Sequence, residues 1–315
     1  MTRGGETDIM VFLEDNTKDN RLQSPPRPAA TIVLIQDNHK GLQAYLLKRN
    51  SKSSFFPGSY VFPGGVLEED DRDLRFWRDH IEMDLEEVSR RFGGSDIAGE
   101  DALGYCVAGV RETFEEAGVL VARNGSLPLL EQANNIRISD GLQNLWLRHL
   151  ISSSGWILNL DSLSRWSHWI TPKLMKYHFD TLFFVAIMPP GQSCLPDRRE
   201  TEKGVWISPA DALEANLKGT IPLSPPTIVT MHELLAYPDA DSLKREWETR
   251  PWGDARFPRM IQSKGGPVIL EPWDPQYDDM NENMDTTAFG PLVLSSDEPF
   301  SRIYLHNGIW KPVRV

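Results

Sequence analysis

Arg111-Glu112-Thr113-Phe114-Glu115-Glu116-Ala117-Gly118 is the stretch on which the fold turns, taken with Phe62-Pro63-Gly64-Gly65 well upstream of it. Leu103, Val107, Val110, Phe114 and Ala117 recur at a spacing that only a helix aligns on one face. Asp101 is the predicted N-cap of that helix and Gly118 its C′ residue. At about 100° of rotation per residue, Glu112, Glu115 and Glu116 fall in one sector opposite the stripe, and they are predicted to face outward. Like charges so close repel, and a divalent cation would relieve the strain. Magnesium takes one or two carboxylates together with substrate phosphates and water, which a shared carboxylate face suits. The chemistry implied is metal-assisted cleavage of a diphosphate. Gly64-Gly65, read as a tight loop, lets backbone approach the metal, with a carbonyl as a further ligand. Arg111, one turn before Glu115, is placed to orient a carboxylate. An acidic sector opposite an apolar stripe is also what a plain surface helix shows, and the helix taken alone favours that solvated reading.

The rest of the chain sets limits. Its 315 residues can bury a sizeable core in one enlarged domain or two ordinary ones. A formal net charge of −12 argues against a nucleic-acid binder, which carries a basic footprint. It does not argue against a phosphate-bearing small substrate, because a metal inverts the local field. With only Cys106 and Cys194, neither a disulfide framework nor a cysteine-rich zinc site is expected, and the reducing cytoplasm is the expected location. Met1 to Asn16 lacks a basic start followed by an apolar run, and the C-terminus does not resemble a peroxisomal Ser-Lys-Leu address. No apolar run approaches the roughly 20 residues needed to span a bilayer, so no membrane partner is expected.

Residues 1–28 read as a flexible polar tail ending in Ser24-Pro25-Pro26-Arg27-Pro28. Ala29 to Gln36 and Leu42 to Lys48 flank turn residues and predict a hairpin. Leu74, Trp77, Ile81, Leu85, Val88 and Phe92 predict one amphipathic helix over 74–92, stopped by Gly93-Gly94. Val119 to Ala122 reads as a short strand, and a helix is expected around Asp140 to Ile151. Strands are predicted at Arg165 to Ile170, Thr181 to Met188 and Gly204 to Ile207. Ser208-Pro209 opens a helix to Leu217. Thr227 to Tyr237 and Asp241 to Thr249 read as further helices. Pro251 to Gly290 is rich in proline, glycine and acid, and Asn307-Gly308 between two alternating runs predicts a terminal hairpin.

The chain resembles the Nudix hydrolases, whose signature reads G-x5-E-x7-R-E-U-x-E-E-x-G-U with U apolar. Gly65 matches the first glycine, and Arg111, Glu112, Glu115, Glu116, Gly118 and Val119 match the second half. This resemblance overturns the solvated reading of the acidic sector. Asp71 stands where the family has glutamate and Thr113 where an apolar residue is usual. The seven-residue spacer is replaced by residues 72–110, which number 39. That interruption is similar to the branch of coenzyme A diphosphatases typified by nucleoside diphosphate-linked moiety X motif 19. A preceding coenzyme A motif, L-L-T-x-R-S-x3-R-x3-G-x3-F-P-G-G, is matched at Arg49, Gly58, Phe62, Pro63, Gly64 and Gly65. Leu47, Asn50 and Ser54 replace its threonine, serine and second arginine.

The resemblance implies an α/β/α Nudix sandwich, a mixed sheet with helices on both faces, enlarged by the inserted helix and a C-terminal extension. It divides the chain into the tail, a hydrolase domain over 29–240 with its insertion at 72–110, and an extension over 241–315. It implies Mg2+ or Mn2+ held by Glu112, Glu115, Glu116 and the carbonyl of Gly65, with Arg111 also catalytic. Arg49, Gly58, Phe62 and Gly64 are the implied substrate-binding residues, and Glu200 or Asp71 a further acid. Glu202 shares with Glu200 the position just before the strand that carries Trp206. The expected substrate is a small nucleotide, coenzyme A or an acyl derivative, cut to 3′,5′-ADP and a phosphopantetheine. ADP-ribose, NADH and dinucleoside polyphosphates stay open as alternatives because Ser54 replaces an arginine. A catalytically silent regulatory module is the third reading, against which the retained glutamates and Arg111 argue. His178 reads as a strand-edge residue, and Trp166, Trp169, Phe183 and Phe184 as core. The terminal hairpin is free to pack on the domain or on a second copy as a homodimer.

Overall fold

The computed structural model describes residues 25–94, 97–139, 141–263, 266–279 and 294–313. Most of the expected tail therefore lies outside the described residues, and its end is corrected: β1 (Arg27–Asn38) already begins at Arg27. β1 turns through Lys40 into β2 (Gly41–Arg49), pairing Ile35 with Ala44, the hairpin expected from two apolar runs flanking turn residues. β3 (Tyr60–Val61) and β4 (Gly64–Val66) follow, so Gly64 and Gly65, expected in a loop, are strand residues paired with Thr31 and Ala30 of β1, and a 3-10 turn spans Asp70–Arg72.

The insertion is not one helix. It forms α1 (Leu74–Trp77) and α2 (Leu85–Phe92). The Asp84 side chain accepts the amide of Glu87 and starts a new helix, while Ile81 between them makes an isolated bridge to Leu158. The stripe survives the break, since Trp77, Ile81, Val88 and Phe92 are all buried. α3 (Gly99–Ala117) begins two residues before the expected Asp101, with Ala98 at its N-cap and no side-chain capping bond. Asp101 sits instead in its first turn, where a carboxylate favours the helix dipole.

β5 (Ala122–Arg123) is the remnant of the strand expected from Val119. α4 (Leu127–Ser139) was not foreseen, and α5 (Trp146–Ser154) replaces the helix expected from Asp140, which lies outside the described residues. Leu145, at φ 59°, sets the later start of α5. β6 (Ile157–Leu158) pairs with β5, and a 3-10 turn at Leu160–Ser162 leads into β7 (Leu163–Ile170), β8 (Phe179–Ile187) and β9 (Thr201–Ile207). α6 (Pro209–Leu217) carries the predicted Ser208 cap, bonded to the Asp211 amide. α7 (Pro225–Leu234) follows, and α8 (Ala240–Lys244) is shorter than expected, closed by an Asp239–Ser242 capping box. β10 (Arg259–Ser263), β11 (Gly266–Leu270), β12 (Arg302–His306) and β13 (Ile309–Val313) form a four-stranded antiparallel sheet.

The main sheet runs β3-β2-β1-β8-β7, with β4 added to β1 and β9 to β2. It is mixed, because β1 and β8 run parallel with Ile32 opposite Phe184 while the other pairs are antiparallel. Ala30, Ile32 and Leu34 face one core with α2 and α3; Val33 and Ile35 face another with α6, α7 and the terminal sheet. A strand buried on both faces reads as an unbroken apolar run, as β1 does. Helices on both faces make the α/β/α sandwich. The terminal sheet packs back on the domain: Trp310 is buried, and the Asn216 side chain in α6 donates to its carbonyl at 2.9 Å.

Candidate active site

The divided signature closes through one guanidinium. Arg111 leaves α3 and donates from Nε and Nη2 to both oxygens of Asp71 at 3.0 Å. It also donates to the Val66 carbonyl at 2.8 Å, so both halves of the signature meet although 39 residues intervene. Its Nη1 reaches Glu112 Oε1 at 2.9 Å and Glu115 Oε2 at 3.0 Å. Burial alone would push this guanidinium down. The hydrogen bonds it donates to Asp71 and the charges of Glu112, Asp71 and Glu115 outweigh that and hold it above its ordinary value. Asp71 is buried and also accepts the Glu68 amide at 2.8 Å. Its shorter reach suits a carboxylate that clasps Arg111.

The glutamates do not face open solvent, which corrects the outward orientation expected of them. α3 is buried nearly all round, and Glu116 is 4% exposed. Glu116 Oε2 accepts the Gly64 amide at 3.0 Å, joining β4 to the acidic turn. Burial, then the neighbouring Glu112, pushes Glu116 well above the ordinary carboxylate range, against the pull of Arg49 and the Gly64 amide. Burial pushes Glu112 up to about 7, Arg111 opposing and Glu115 adding to the rise. Glu115 is raised by burial too, offset by Arg111 and by Trp146, whose Nε1 donates to Glu115 Oε1 at 2.6 Å. Thr113, expected at the edge of the stripe, is buried and spends its hydroxyl on the Gly109 carbonyl at 2.7 Å.

These side chains open on a cavity of about 550 Å3, within the range of sites for small organic ligands. Gly64, Gly65, Arg111, Glu112, Glu115 and Glu116 line it, as do Arg49 and Phe62. Phe62 packs edge-on against Phe183. Gly58 lies away from the wall, in a turn at φ +71°. Glu200 is exposed and lines the cavity, whereas Glu202 forms an ion pair with Lys48 at 2.5 Å. Trp169 and Phe183 are buried as expected and also line the cavity; Trp166 and Phe184 are core alone.

Sequence reasoning missed several contributors. Trp146 stacks on Phe114 at 4.6 Å while it holds Glu115, and Arg137 of α4 donates to the Glu115 carbonyl. Arg27, Phe55, Tyr177 and Glu271 also line the cavity. None stands at a telling distance along the chain from the acidic turn, so only the fold brings them there.

The donor chemistry fits a hard cation. All three carboxyls are raised first by burial, Glu112 further by Glu115 and Glu116 further by Glu112, and a positive charge beside them is what lowers that cost. In this arrangement Arg111 bridges Glu112 and Glu115, and among the described residues no three acidic, histidine or cysteine side chains form a ready-made ligand cluster.

Residues 25–234 match the family model described as the NUDT19 Nudix domain. The chain is 26% identical over 323 residues to acyl-coenzyme A diphosphatase NUDT19 of Xenopus laevis, covering 90% of this chain and 83% of that protein. It is 26% identical over 308 residues to the Homo sapiens protein of that name, covering 85% and 82%. The crystal structure of a Nudix hydrolase from Alicyclobacillus acidocaldarius superposes with a TM-score of 0.55 at 26% identity, covering 73% of this chain and all of that one. Fold, acidic turn and relatives together define a hydrolase of the Nudix class, which works with divalent metal ions. More narrowly, the chain belongs to the NUDT19 Nudix domain family. No helix among the described residues is long and apolar enough to cross a membrane.

Proposed function

We propose that this protein hydrolyses coenzyme A or acyl-coenzyme A to 3′,5′-ADP and the corresponding phosphopantetheine, using Mg2+ or Mn2+. The observation that carries the reading is the clasped acidic turn, Glu112, Glu115 and Glu116 held by Arg111 and Gly64 in the wall of a ligand-sized cavity. The relatives named acyl-coenzyme A diphosphatase support the choice of substrate.

Glu112, Glu115, Glu116 and the Gly65 carbonyl would hold the ion. When bound, it neutralises charge on the diphosphate and makes the attacking water more acidic. Glu116 is fixed by the Gly64 amide, and Glu115 by Arg111 and Trp146. Glu112 is held only through Oε1 by Arg111, so its other oxygen is the one suited to take a proton from water. Water oxygen joins one phosphorus, the bridging P–O bond breaks, and the bridging oxygen leaves on the other phosphate. Arg27 and Arg49 in the cavity wall suit phosphate oxygens, and Phe55, Tyr177, Phe179 and Trp169 give the remainder of the ligand an aromatic lining.

The test is a panel of coenzyme A, dephospho-coenzyme A, ADP-ribose, NADH and diadenosine polyphosphates with Mg2+ or Mn2+, beside Glu115→Gln. Coenzyme A cleavage by the wild type, lost in the variant, is the expected result. Equal inertness of both proteins on every compound overturns the enzyme reading. Cleavage of ADP-ribose alone overturns the substrate.

A further inference from the structure

Glu271 follows β11 in the terminal sheet, far along the chain from the acidic turn, and lies in the wall of the same cavity. It is wholly buried, and neither carboxyl oxygen has a hydrogen-bond partner among the described residues. An unpaired buried carboxyl is costly, and a fold that needed only filler there would be served by an apolar side chain. The groups facing it do not discharge it. Arg256, from the segment before β10, is engaged through Nη2 by Glu233 of α7 at 2.5 Å and lies over the rings of Trp169 and Trp273, while its buried Nη1 makes no hydrogen bond to Glu271 or to any other described residue. Tyr277 faces it from the following turn, and Asp274 is paired with Arg302. Burial foremost pushes the Glu271 carboxyl up to about 8, Arg256 opposing and Glu233 adding.

We propose that Glu271 is a substrate-recognition residue, pairing its carboxyl with a ligand edge that carries a hydrogen-bond donor and an acceptor side by side. As the acid it donates from its O–H and accepts at its carbonyl oxygen, a match for such an edge that a carboxylate lacks. Resting on the coenzyme A reading above, the part of that substrate that presents this edge is adenine, with its exocyclic amine beside a ring nitrogen; the trans amides of the pantetheine arm turn their N–H and C=O to opposite sides and do not. The oxygens are closed off from water in this structure, so the side chain must turn from the wall into the lumen as the ligand seats. The terminal sheet thereby supplies part of the substrate site.

The test uses the full-length protein with Glu271→Gln and Glu271→Leu. Steady-state constants for coenzyme A are measured from pH 6.5 to 9, and adenosine 3′,5′-bisphosphate and pantetheine are titrated separately by calorimetry. Glu271→Leu is expected to raise KM about tenfold with kcat little changed, and to weaken adenosine 3′,5′-bisphosphate by a similar factor while pantetheine is unaffected. Wild-type KM is expected to climb above pH 8, where the acid form is lost. Glu271→Gln, whose amide keeps a donor and an acceptor, is expected to stay flat. Unchanged KM and unchanged binding of adenosine 3′,5′-bisphosphate by Glu271→Leu overturn the proposal and leave Glu271 a structural neighbour of Arg256. If the wild type cleaves no coenzyme A, the substrate reading falls, and fragment binding alone decides for or against Glu271.

Discussion

Gly65 owes its identity to Glu112. A Cβ on Gly65 would stand 2.4 Å from the Glu112 carboxyl carbon, so even alanine must displace the glutamate. Gly65→Ala is expected to lower kcat/KM at least about tenfold while unfolding close to wild type, read by initial rates beside a thermal melt. Trp146 acts on the same turn through Glu115. Trp146→Phe keeps a ring against Phe114 but loses the indole donor, and a several-fold fall in kcat is expected, about 1 kcal/mol. The acidic turn also sets a pH dependence. The folded value of Glu112, about 7, lies above its ordinary 4.5, so the unfolded chain holds fewer protons between those values. The Glu112 contribution to ion-free stability should therefore be fullest below pH 4.5 and decline as pH rises to about 7, by on the order of 2–3 kcal/mol. Urea unfolding in EDTA at pH 5 and pH 8 measures it. Glu112→Gln should reduce the difference, leaving the part that Glu115 and Glu116 contribute, and Mg2+ should raise the midpoint more at pH 8 than at pH 5.

At the scale of elements, what the sequence disclosed depended on how each element is held. α3 was legible because its apolar stripe is local and Gly118 marks its end; Gly118 does sit in the left-handed region at φ 72°. The insertion misled because Trp77, Ile81, Val88 and Phe92 keep one phase across the break that Asp84 imposes. α4 gave no stripe because polar groups dock it. Asn134 donates to the Gly118 carbonyl, and Arg137 reaches the carbonyls of Glu115 and Leu195. β10 and β11 were hidden in a segment whose proline and glycine read as loop. The acidic residues of the site were legible for the same reason as α3, since their spacing is local. Trp146 and Glu271 were not, because tertiary packing alone brings them to the cavity. A side chain at Gly118 would meet both the left-handed backbone and the α4 dock, its Cβ 2.5 Å from Asn134 Oδ1. Gly118→Ala should cost about 1–2 kcal/mol by denaturant unfolding and loosen α4 on the helix end.

For the whole molecule, the question is whether residues 241–315 form a separate unit or share the core of the hydrolase fold. Ile303, Leu305 and Trp310 are buried in one cluster with Val33, Ile35, Leu213 and Val229 of the main domain. Asn216 spans the junction, donating to the Trp310 carbonyl and accepting the Leu223 amide. Ile269 and Glu271 from the same sheet stand in the cavity wall. A sheet that shares a core with its neighbour melts with it. Trp310→Ala should therefore cost about 3–5 kcal/mol and lower a single calorimetric transition, with activity lost over the same temperature range. KM should rise below the melt as the Glu271 wall loosens. Two separate transitions, with coenzyme A cleavage surviving the first, would instead show the extension to be an independent appendage and would remove its wall residues from the site.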